Sequence, residues 1–208
     1  MPDVAPSRAP LRVVERDHRR KIASELPGDS GVWLFLTADV CLFAVYFFVF
    51  MNARLADLEL YEESRRQLSA TLGLANTLIL LTSSWLVALA VAAARAADRD
   101  AIVRFLKLAI GVGGAFAVTK IVEYSLKIHA GITVTTNEFF GYYFGFTAIH
   151  FFHFLIGMGV LGVCLAKARR EAIDERYVVW IESSGCYWHM VDLLWIVLFA
   201  MLYLLRAP

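Results

Sequence analysis

Five long apolar segments constrain this chain more than any other feature of its sequence. They lie at about residues 31–52, 71–94, 104–126, 140–166 and 178–205. Each one has the roughly 20 residues that a helix needs to cross about 30 Å of hydrocarbon. Only helices and closed barrels satisfy all of their backbone polar groups in lipid. The sequence therefore predicts an all-α, polytopic membrane bundle of five transmembrane helices, here called spans 1 to 5 in chain order.

The composition agrees with a membrane protein and excludes several other classes. Hydrophobic residues make up 59% of the chain, which is too apolar for a soluble domain that still needs a polar surface. The net charge of +1 gives no electrostatic reason to expect nucleic acid as a partner. The three cysteines form no CxxC pair and no even-numbered framework, which argues against a disulfide scaffold or a thiolate metal site.

The distribution of Lys and Arg predicts the orientation in the membrane. Fourteen of these residues fall in the N-terminal tail and in the second and fourth connections, whereas five fall on the opposite side of the spans. Positive residues concentrate on the cytoplasmic side of membrane proteins. We therefore expect a cytoplasmic N-terminus, an outside C-terminus and a multi-pass location in a bacterial inner membrane. The chain divides into a basic cytoplasmic tail, residues 1–28, and a five-helix domain, residues 29–208.

An acidic residue stands in the apolar sequence of span 1. Asp39 lies about nine residues from the cytoplasmic face, which is roughly 12 Å along a helix. A carboxyl group is expensive in hydrocarbon, so it should face a partner, a cavity or another protein. Two interpretations remain open at this point. Asp39 is either a proton-linked or lipid-contacting carboxylate, or a structural acid that is hydrogen-bonded to a neighbouring helix.

Spans 2 and 3 contain polar residues that are typical of helix contacts. In span 2 the small polar side chains Asn76, Ser83 and Ser84 recur at near-helical spacing and predict close helix packing with interhelical hydrogen bonds. The glycines of "GVGGAF" in span 3 predict a close backbone approach. Lys120 and Glu123 share one face of span 3 and predict an ion pair, with a role in a proton path as the alternative.

Three of the five histidines lie at mid-depth in spans 4 and 5. His150 and His153 are one turn apart in span 4, and in span 5 Asp192 follows His189 by one turn. A copper or two-haem centre needs at least three or four facing imidazoles, and a single b-type haem on His150 and His189 would be crowded by bulky aromatic neighbours. We therefore expect no bound metal, and a hydrogen-bonded interior cluster of histidines and carboxylates.

Five sequence motifs occur in the order of the five spans. Span 1 has "PGDSGVWLFLTADVCLFAVYFF", span 2 has "LANTLILLTSSW" and span 3 ends with "TKIVEY". Span 4 has the His-x-x-His motif of "FGFTAIHFFHFLIGM", and span 5 has "YWHMVDLLWIVLF". Together these motifs resemble the subunit III family of haem–copper oxidases over about residues 27 to 206. The short length and the "NTLILLTSSW" sequence favour the five-helix branch that includes the subunit-III-like protein associated with nitric oxide reductase.

The resemblance implies a redox-inert accessory subunit. In this family the large catalytic subunit holds the haems and the copper or iron, so this chain is expected to bind no cofactor except phospholipid, held in a cleft between spans 1–2 and 3–5. Its expected role is to stabilise the catalytic subunit of an oxidase or nitric oxide reductase and to keep proton uptake effective. The two histidines of span 4 would then form one structural node with Glu123, His189 and Asp192, and Asp39 would be the family's intramembrane carboxylate.

Two functions from other classes remain as alternatives. A freestanding b-type haem membrane protein would use His150 and His189 as axial ligands. A small proton-linked transporter would use Asp39, Lys120 and Glu123, but it requires a continuous file of polar groups across the membrane.

Overall fold

Six α-helices and one short π-helical turn make up the described part of the chain. The structure, a computed structural model, describes residues 27–206, except for the side chain of Ser30. The predicted basic tail, residues 1–28, therefore lies outside the described residues apart from its last two positions. The helices are α1 (Ser30–Ala56), α2 (Leu58–Arg66), α3 (Ala70–Arg95), α4 (Arg99–His129), α5 (Glu138–Arg170) and α6 (Glu175–Phe199), followed by the π-helical turn Ala200–Leu204.

Five of these helices are long and apolar enough to cross a membrane. Spans 1 to 5 correspond to α1, α3, α4, α5 and α6, and α6 continues through the π-helical turn. The all-α class and the five spans are confirmed, and the orientation of the termini stays a prediction. Every helix begins after a side chain that accepts a hydrogen bond from its first turn, which explains its starting point. These caps are Asp29, Asp57, Ser69, Asp98, Asn137 and Asp174.

The short helix α2 lies in a connection that we expected to be a loop. Its Tyr61 and Ser64 are buried, whereas Glu59, Glu63 and Arg66 are exposed. It packs at the end of the bundle where α3 and α5 begin and where α4 and α6 end, and Asn137 donates a hydrogen bond to Ser64 there at 2.8 Å. We call this the α2 end, and we call the opposite end, which holds most of the basic residues, the basic end.

Helices α3, α4, α5 and α6 form the body of the bundle. The most extensive contacts join α3 to α4 and to α6, and further contacts join α5 to both α4 and α6. Trp188, Trp195, Phe116 and Phe154 are fully enclosed at its centre. Gly157 allows this packing, because a Cβ atom at that position would lie 2.7 Å from the Trp188 ring.

Helix α1 stands at the side of this body. Its contacts are made mainly with α6, α2 and a row of aromatic side chains on α5, rather than with α3. The expected division of the bundle into spans 1–2 and spans 3–5 is therefore wrong, because α3 is an integral member of the body, and lipid binding stays a prediction. The close approach predicted at the glycines of α4 is also limited to Gly113, which faces Ser83, since a Cβ atom at Gly111 or Gly114 would meet no atom within 4 Å.

Helix α6 continues into the π-helical turn Ala200–Leu204. In this turn the backbone N–H of Leu205 donates to the carbonyl of Ala200 at 3.0 Å, five residues earlier. Arg65 of α2 donates to the Tyr203 carbonyl at 3.2 Å and pairs with Glu62 at 2.6 Å. The hydrogen bond to Glu62 raises the pKa of the Arg65 guanidinium, so this link between α2 and the turn keeps its positive charge.

Candidate functional site: polar groups inside the bundle

The predicted ion pair of span 3 is fully buried near the α2 end. Lys120 Nζ donates to Glu123 Oε2 at 2.9 Å, and the two residues are only 1% and 2% exposed. The hydroxyl of Tyr203 donates to Glu123 Oε1 at 2.7 Å. Lys120 Nζ also lies 3.4 Å from the Tyr143 hydroxyl and 3.3 Å from the Tyr203 hydroxyl. Three elements, α4, α5 and the π-helical turn, thus meet at one pair of charges.

Aromatic rings surround the Lys120 ammonium. Its Nζ lies 5.3 Å from the ring centroid of Tyr124, 5.0 Å from those of Tyr143 and Trp195, and 6.0 Å from that of Tyr203. A cation over an aromatic face gains about 2 kcal/mol or more when water is excluded. The rings therefore offset part of the cost of burying this charge. Sequence reasoning missed Tyr143 and Tyr203, although both occur at the ends of spans that must lie level with Glu123.

His150 is enclosed at the centre of the bundle. Its Nε2 donates to the backbone carbonyl of Val191 in α6 at 3.0 Å. Its ring lies 5.8 Å from that of Phe116 and 5.2 Å from that of Trp195, measured between centroids. These contacts engage Nε2 and place two aromatic rings against the imidazole. His150 therefore joins α5 to α6.

His153 points away from His150 and towards α1. Its Nδ1 lies 2.8 Å from the carbonyl of Ile149, which can only accept, so Nδ1 carries a proton. Its Nε2 lies 3.4 Å from Asp39 Oδ1, and its ring packs against Phe43 of α1. A contact between these atoms requires one further proton, either on the imidazole or on the carboxyl group. Asp39 thus faces a neighbouring helix, and its proton-linked or lipid-contacting role stays an alternative.

His189 and Asp192 contact α3 through one serine. Ser84 Oγ lies 2.5 Å from His189 Nδ1, and it is also a neighbour of the Asp192 carboxyl group. Both Asp192 oxygens are buried, with no well-aligned hydrogen bond from the residues that the structure describes. The adjacent Ser83 donates to the Ala109 carbonyl of α4 at 2.9 Å.

The polar residues of α3 lie where the helix meets its two main neighbours. Asn76 accepts a hydrogen bond from Thr119 of α4, and Thr77 accepts one from the indole of Trp195 in α6 at 3.1 Å. With Ser83 and Ser84, they give α3 interhelical hydrogen bonds over residues 76–84. The three packing residues predicted in span 2, Asn76, Ser83 and Ser84, all take part in such contacts.

The expected single node of histidines and carboxylates is not formed. The structure places its five residues and Asp39 in four separate contacts: Glu123 with Lys120 and Tyr203, Asp39 with His153, His150 with Val191, and His189 with Ser84 beside Asp192. The reason is geometric. Residues three apart on a helix differ by about 60° in direction, which suffices to turn His153 towards α1 while His150 faces α6. Equal depth in the membrane did not bring the side chains together.

The potential metal ligands of the described residues are dispersed. Across residues 27–206 no group of three or more His, Cys, Asp or Glu side chains is gathered in a way that could hold an ion. The three histidines inside the spans each bond to a different partner, as described above. What the arrangement can do is join helices: α3 to α4 and α6, α5 to α6, and α1 to α5.

Comparison with known proteins gives the family. The family described as cytochrome c oxidase subunit III matches residues 14–206. The chain is 29% identical over 176 residues to cytochrome c oxidase subunit 3 of Synechocystis sp., covering 84% of this chain and 74% of that protein. It is 27% identical over 181 residues to quinol oxidase subunit 3 of Bacillus subtilis, covering 84% and 85%. It is 28% identical over 179 residues to cytochrome c oxidase subunit 3 of Pisaster ochraceus, covering 83% and 68%. Because the family matches almost the whole length, this multi-pass membrane chain belongs to the cytochrome c oxidase subunit III family.

Proposed function

We propose that this chain is a non-redox accessory subunit of a respiratory complex. Its partner is the large catalytic subunit of a haem–copper oxidase or a nitric oxide reductase, which holds the haems and the copper or iron. The observation that carries this proposal is the family match over residues 14–206. The role of the chain is to stabilise that subunit, to hold lipid against it and to keep its proton uptake effective.

The interior of the bundle favours this role over a freestanding haem protein. His150 Nε2 is bonded to Val191, and two aromatic rings flank its imidazole. His189 is bonded to Ser84 of α3. Each histidine thus serves a helix contact, and a porphyrin between them would have to displace the most tightly packed rings of the body. This use of the histidines favours a chain that supports a neighbouring catalytic subunit.

The same contacts argue against a transporter. The ionisable residues that a proton file would use are divided between two places: Asp39 with His153 beside α1, and Lys120 with Glu123 near the α2 end. The aromatic core, with Phe116 and Trp195, lies inside the body. A transported ion needs a continuous polar path, and in the described residues these two pairs serve separate helix contacts.

The electron acceptor of the parent complex is either oxygen or nitric oxide. The relatives reported above are subunits named for cytochrome c oxidase and quinol oxidase. The "NTLILLTSSW" sequence of α3 and the short length of the chain favour the branch associated with nitric oxide reductase. Purified complex should therefore be assayed for consumption of both gases, and the faster reaction identifies the parent enzyme.

Isolation of the chain from its own membrane tests the proposal. An affinity tag on this chain should retain a large haem-containing subunit in equal amount, and removing the chain should shorten the active lifetime of that subunit while its initial turnover stays close to normal. The separated chain should lack a Soret band and stoichiometric iron or copper. A haem spectrum from the separated chain, or retention without any haem protein, would overturn the proposal.

Orientation is a second part of the proposal. The basic bias places the N-terminus in the cytoplasm of a bacterial inner membrane and the C-terminus outside. A reporter enzyme that is active only outside the cytoplasm, fused after Pro208, should be active. Activity there from a reporter that works only in the cytoplasm would reverse this assignment.

A further inference from the structure

A cleft at the α2 end reaches the buried ion pair. It has a volume of about 160 Å³ and lies between the start of α3 and the end of α4, with Ser69, Leu126, Lys127 and Ala130 in its walls. Glu123, which is only 2% exposed, is one of its lining residues. A water molecule occupies about 30 Å³ of liquid volume, so the cleft has room for several.

Four polar residues belong to the otherwise apolar lining of this cleft: Glu123, Ser69, Gln67 and Lys127. A water molecule needs two to four polar partners, and these residues are the ones that could supply them. Lys127 also donates to the Gln67 carbonyl, which joins α4 to the segment before α3 across the mouth of the cleft. Water at Glu123 would also lower the cost of holding two charges inside the bundle.

Ionisable groups from three elements surround Glu123. Apart from Lys120, the ionisable side chains that face it are Tyr143 from α5 and Tyr203 from the π-helical turn, with Tyr124 and Lys127 on its own helix α4. Helix α3 contributes only Leu72 and the cap Ser69 to the cleft. When Glu123 is neutral, the four rings around Lys120 still face the ammonium, so that charge keeps favourable contacts.

We propose that the cleft is a water-filled entry and that Glu123 is a proton-exchange site open to the aqueous phase at the α2 end. The ligand is a proton: it leaves a hydronium ion in the cleft, forms an O–H bond on the Glu123 carboxylate and returns to water by the reverse step. This site is separate from the contact between Asp39 and His153 beside α1. The proposal goes beyond the accessory role and holds whichever acceptor the parent complex reduces.

The first experiment measures water access to the cleft. The full chain, with Cys41, Cys164 and Cys186 replaced by alanine, serves as the background for single cysteine variants. Each variant is reconstituted in vesicles and treated from the α2 side with a charged thiol reagent that does not cross membranes. Glu123→Cys should react, whereas the adjacent Val122→Cys, at the same depth but 50% exposed outside the cleft, should not. Equal reactivity, or reaction of Val122→Cys alone, would overturn the entry.

A second variant keeps this experiment decisive if Glu123→Cys does not fold. Leu126→Cys lines the same cleft and leaves the ion pair intact, so it should react from the α2 side. Adding Ala130→Trp, at an exposed position in the wall, should block the cleft and slow that reaction several-fold. Unchanged labelling in the double variant would show that the reagent arrives by another route.

The last experiment measures the proton itself. Infrared difference spectra of the full chain, recorded as the solution at the α2 side is acidified, should show a carboxyl band that is lost in Glu123→Gln and kept in Asp192→Asn, a buried carboxyl away from the cleft. Ala130→Trp, which leaves both charges in place, should delay the appearance of this band. A band that persists in Glu123→Gln, or no band in the wild-type chain, would overturn the proton site even if the cleft is hydrated.

Discussion

Helices α1 and α6 are both apolar enough to cross a membrane, yet α6 belongs to the body of the bundle and α1 stands at its side. In its most apolar stretch α1 has 17% of its residues buried, against 56% for α6, although α1 is the more apolar of the two. The difference follows from small and polar residues. Lipid is as apolar as leucine, so hydrophobicity alone does not bring a helix inwards. Helix α6 carries Ser184, Gly185 and His189 at its contacts, whereas α1 offers Asp39 and a row of aromatic rings.

The comparison predicts that damage in the body costs far more than damage beside α1. The largest effect is expected for Lys120→Met, which leaves the Glu123 carboxylate buried without its cation. Removing one partner of a buried pair typically costs about 3–5 kcal/mol, whereas replacing both by apolar residues is often nearly neutral. Unfolding in mixed micelles should therefore show a large loss for Lys120→Met and a smaller one for Lys120→Met with Glu123→Leu. A double variant as unstable as the single one would contradict this account.

His150 and His153 allow a comparison within one helix. His150→Ala leaves the Val191 carbonyl buried without its donor and should cost about 1–3 kcal/mol of unfolding free energy. His153→Ala removes a partly exposed contact with Asp39 and should cost about 1 kcal/mol or less. The yield and the thermal midpoint of the two purified variants measure the difference. If His153→Ala is the more damaging change, α1 is bound to the body more firmly than its contacts indicate.

Two glycines of α5 test packing without any change of charge. In Gly157→Ala the new methyl group meets the Trp188 ring, and overpacking of this kind outweighs the better helix propensity of alanine by about 1–2 kcal/mol. Gly159→Ala, half a turn away, meets no atom within 4 Å and should be neutral or slightly stabilising. Thermal unfolding of both variants in the same detergent is the measurement. Equal losses would mean that Gly159 is covered by a neighbour in the membrane.

The smallest effect is expected for Asp39→Asn. Asparagine keeps a side-chain oxygen and a donor near His153 but cannot ionise, so the contact between α1 and α5 should change by less than about 1 kcal/mol. If Asp39 supports assembly, the variant complex should keep its normal turnover and its lifetime during turnover. A variant that assembles fully but loses most of its activity at high pH, where protons are scarce, would instead place Asp39 in proton delivery.

Hydropathy and local spacing account for what the sequence predicted well. The five spans depend on runs of apolar residues, and the pairing of Lys120 with Glu123 depends only on a separation of three along one helix. Both are local properties. The short helix α2 escaped prediction because six of its nine residues are charged or serine and give little hydropathy signal, although a spacing of three places Tyr61 and Ser64 on one side.

The arrangement of the helices could not be predicted in the same way. Which helix His153 faces depends on the position of α1, and that position depends on contacts between residues more than a hundred positions apart. The expected division between spans 1–2 and spans 3–5 was wrong for this reason, since α3 packs against α4 and α6. The partnership of Tyr203 with Glu123 was also hidden, because it depends on the irregular end of α6.

That irregular end makes the length of the last turn as important as its residues. A π-helical turn arises when a helix accommodates one additional residue, and such turns occur frequently at functional positions. Deleting one residue between Ala200 and Tyr203 would restore regular α-helical hydrogen bonding. It would also rotate the tyrosine by about 100° away from Glu123. A relative could therefore retain every side chain of this contact and still lose it through a single gap. In a sequence alignment, the spacing here carries information that residue identity does not.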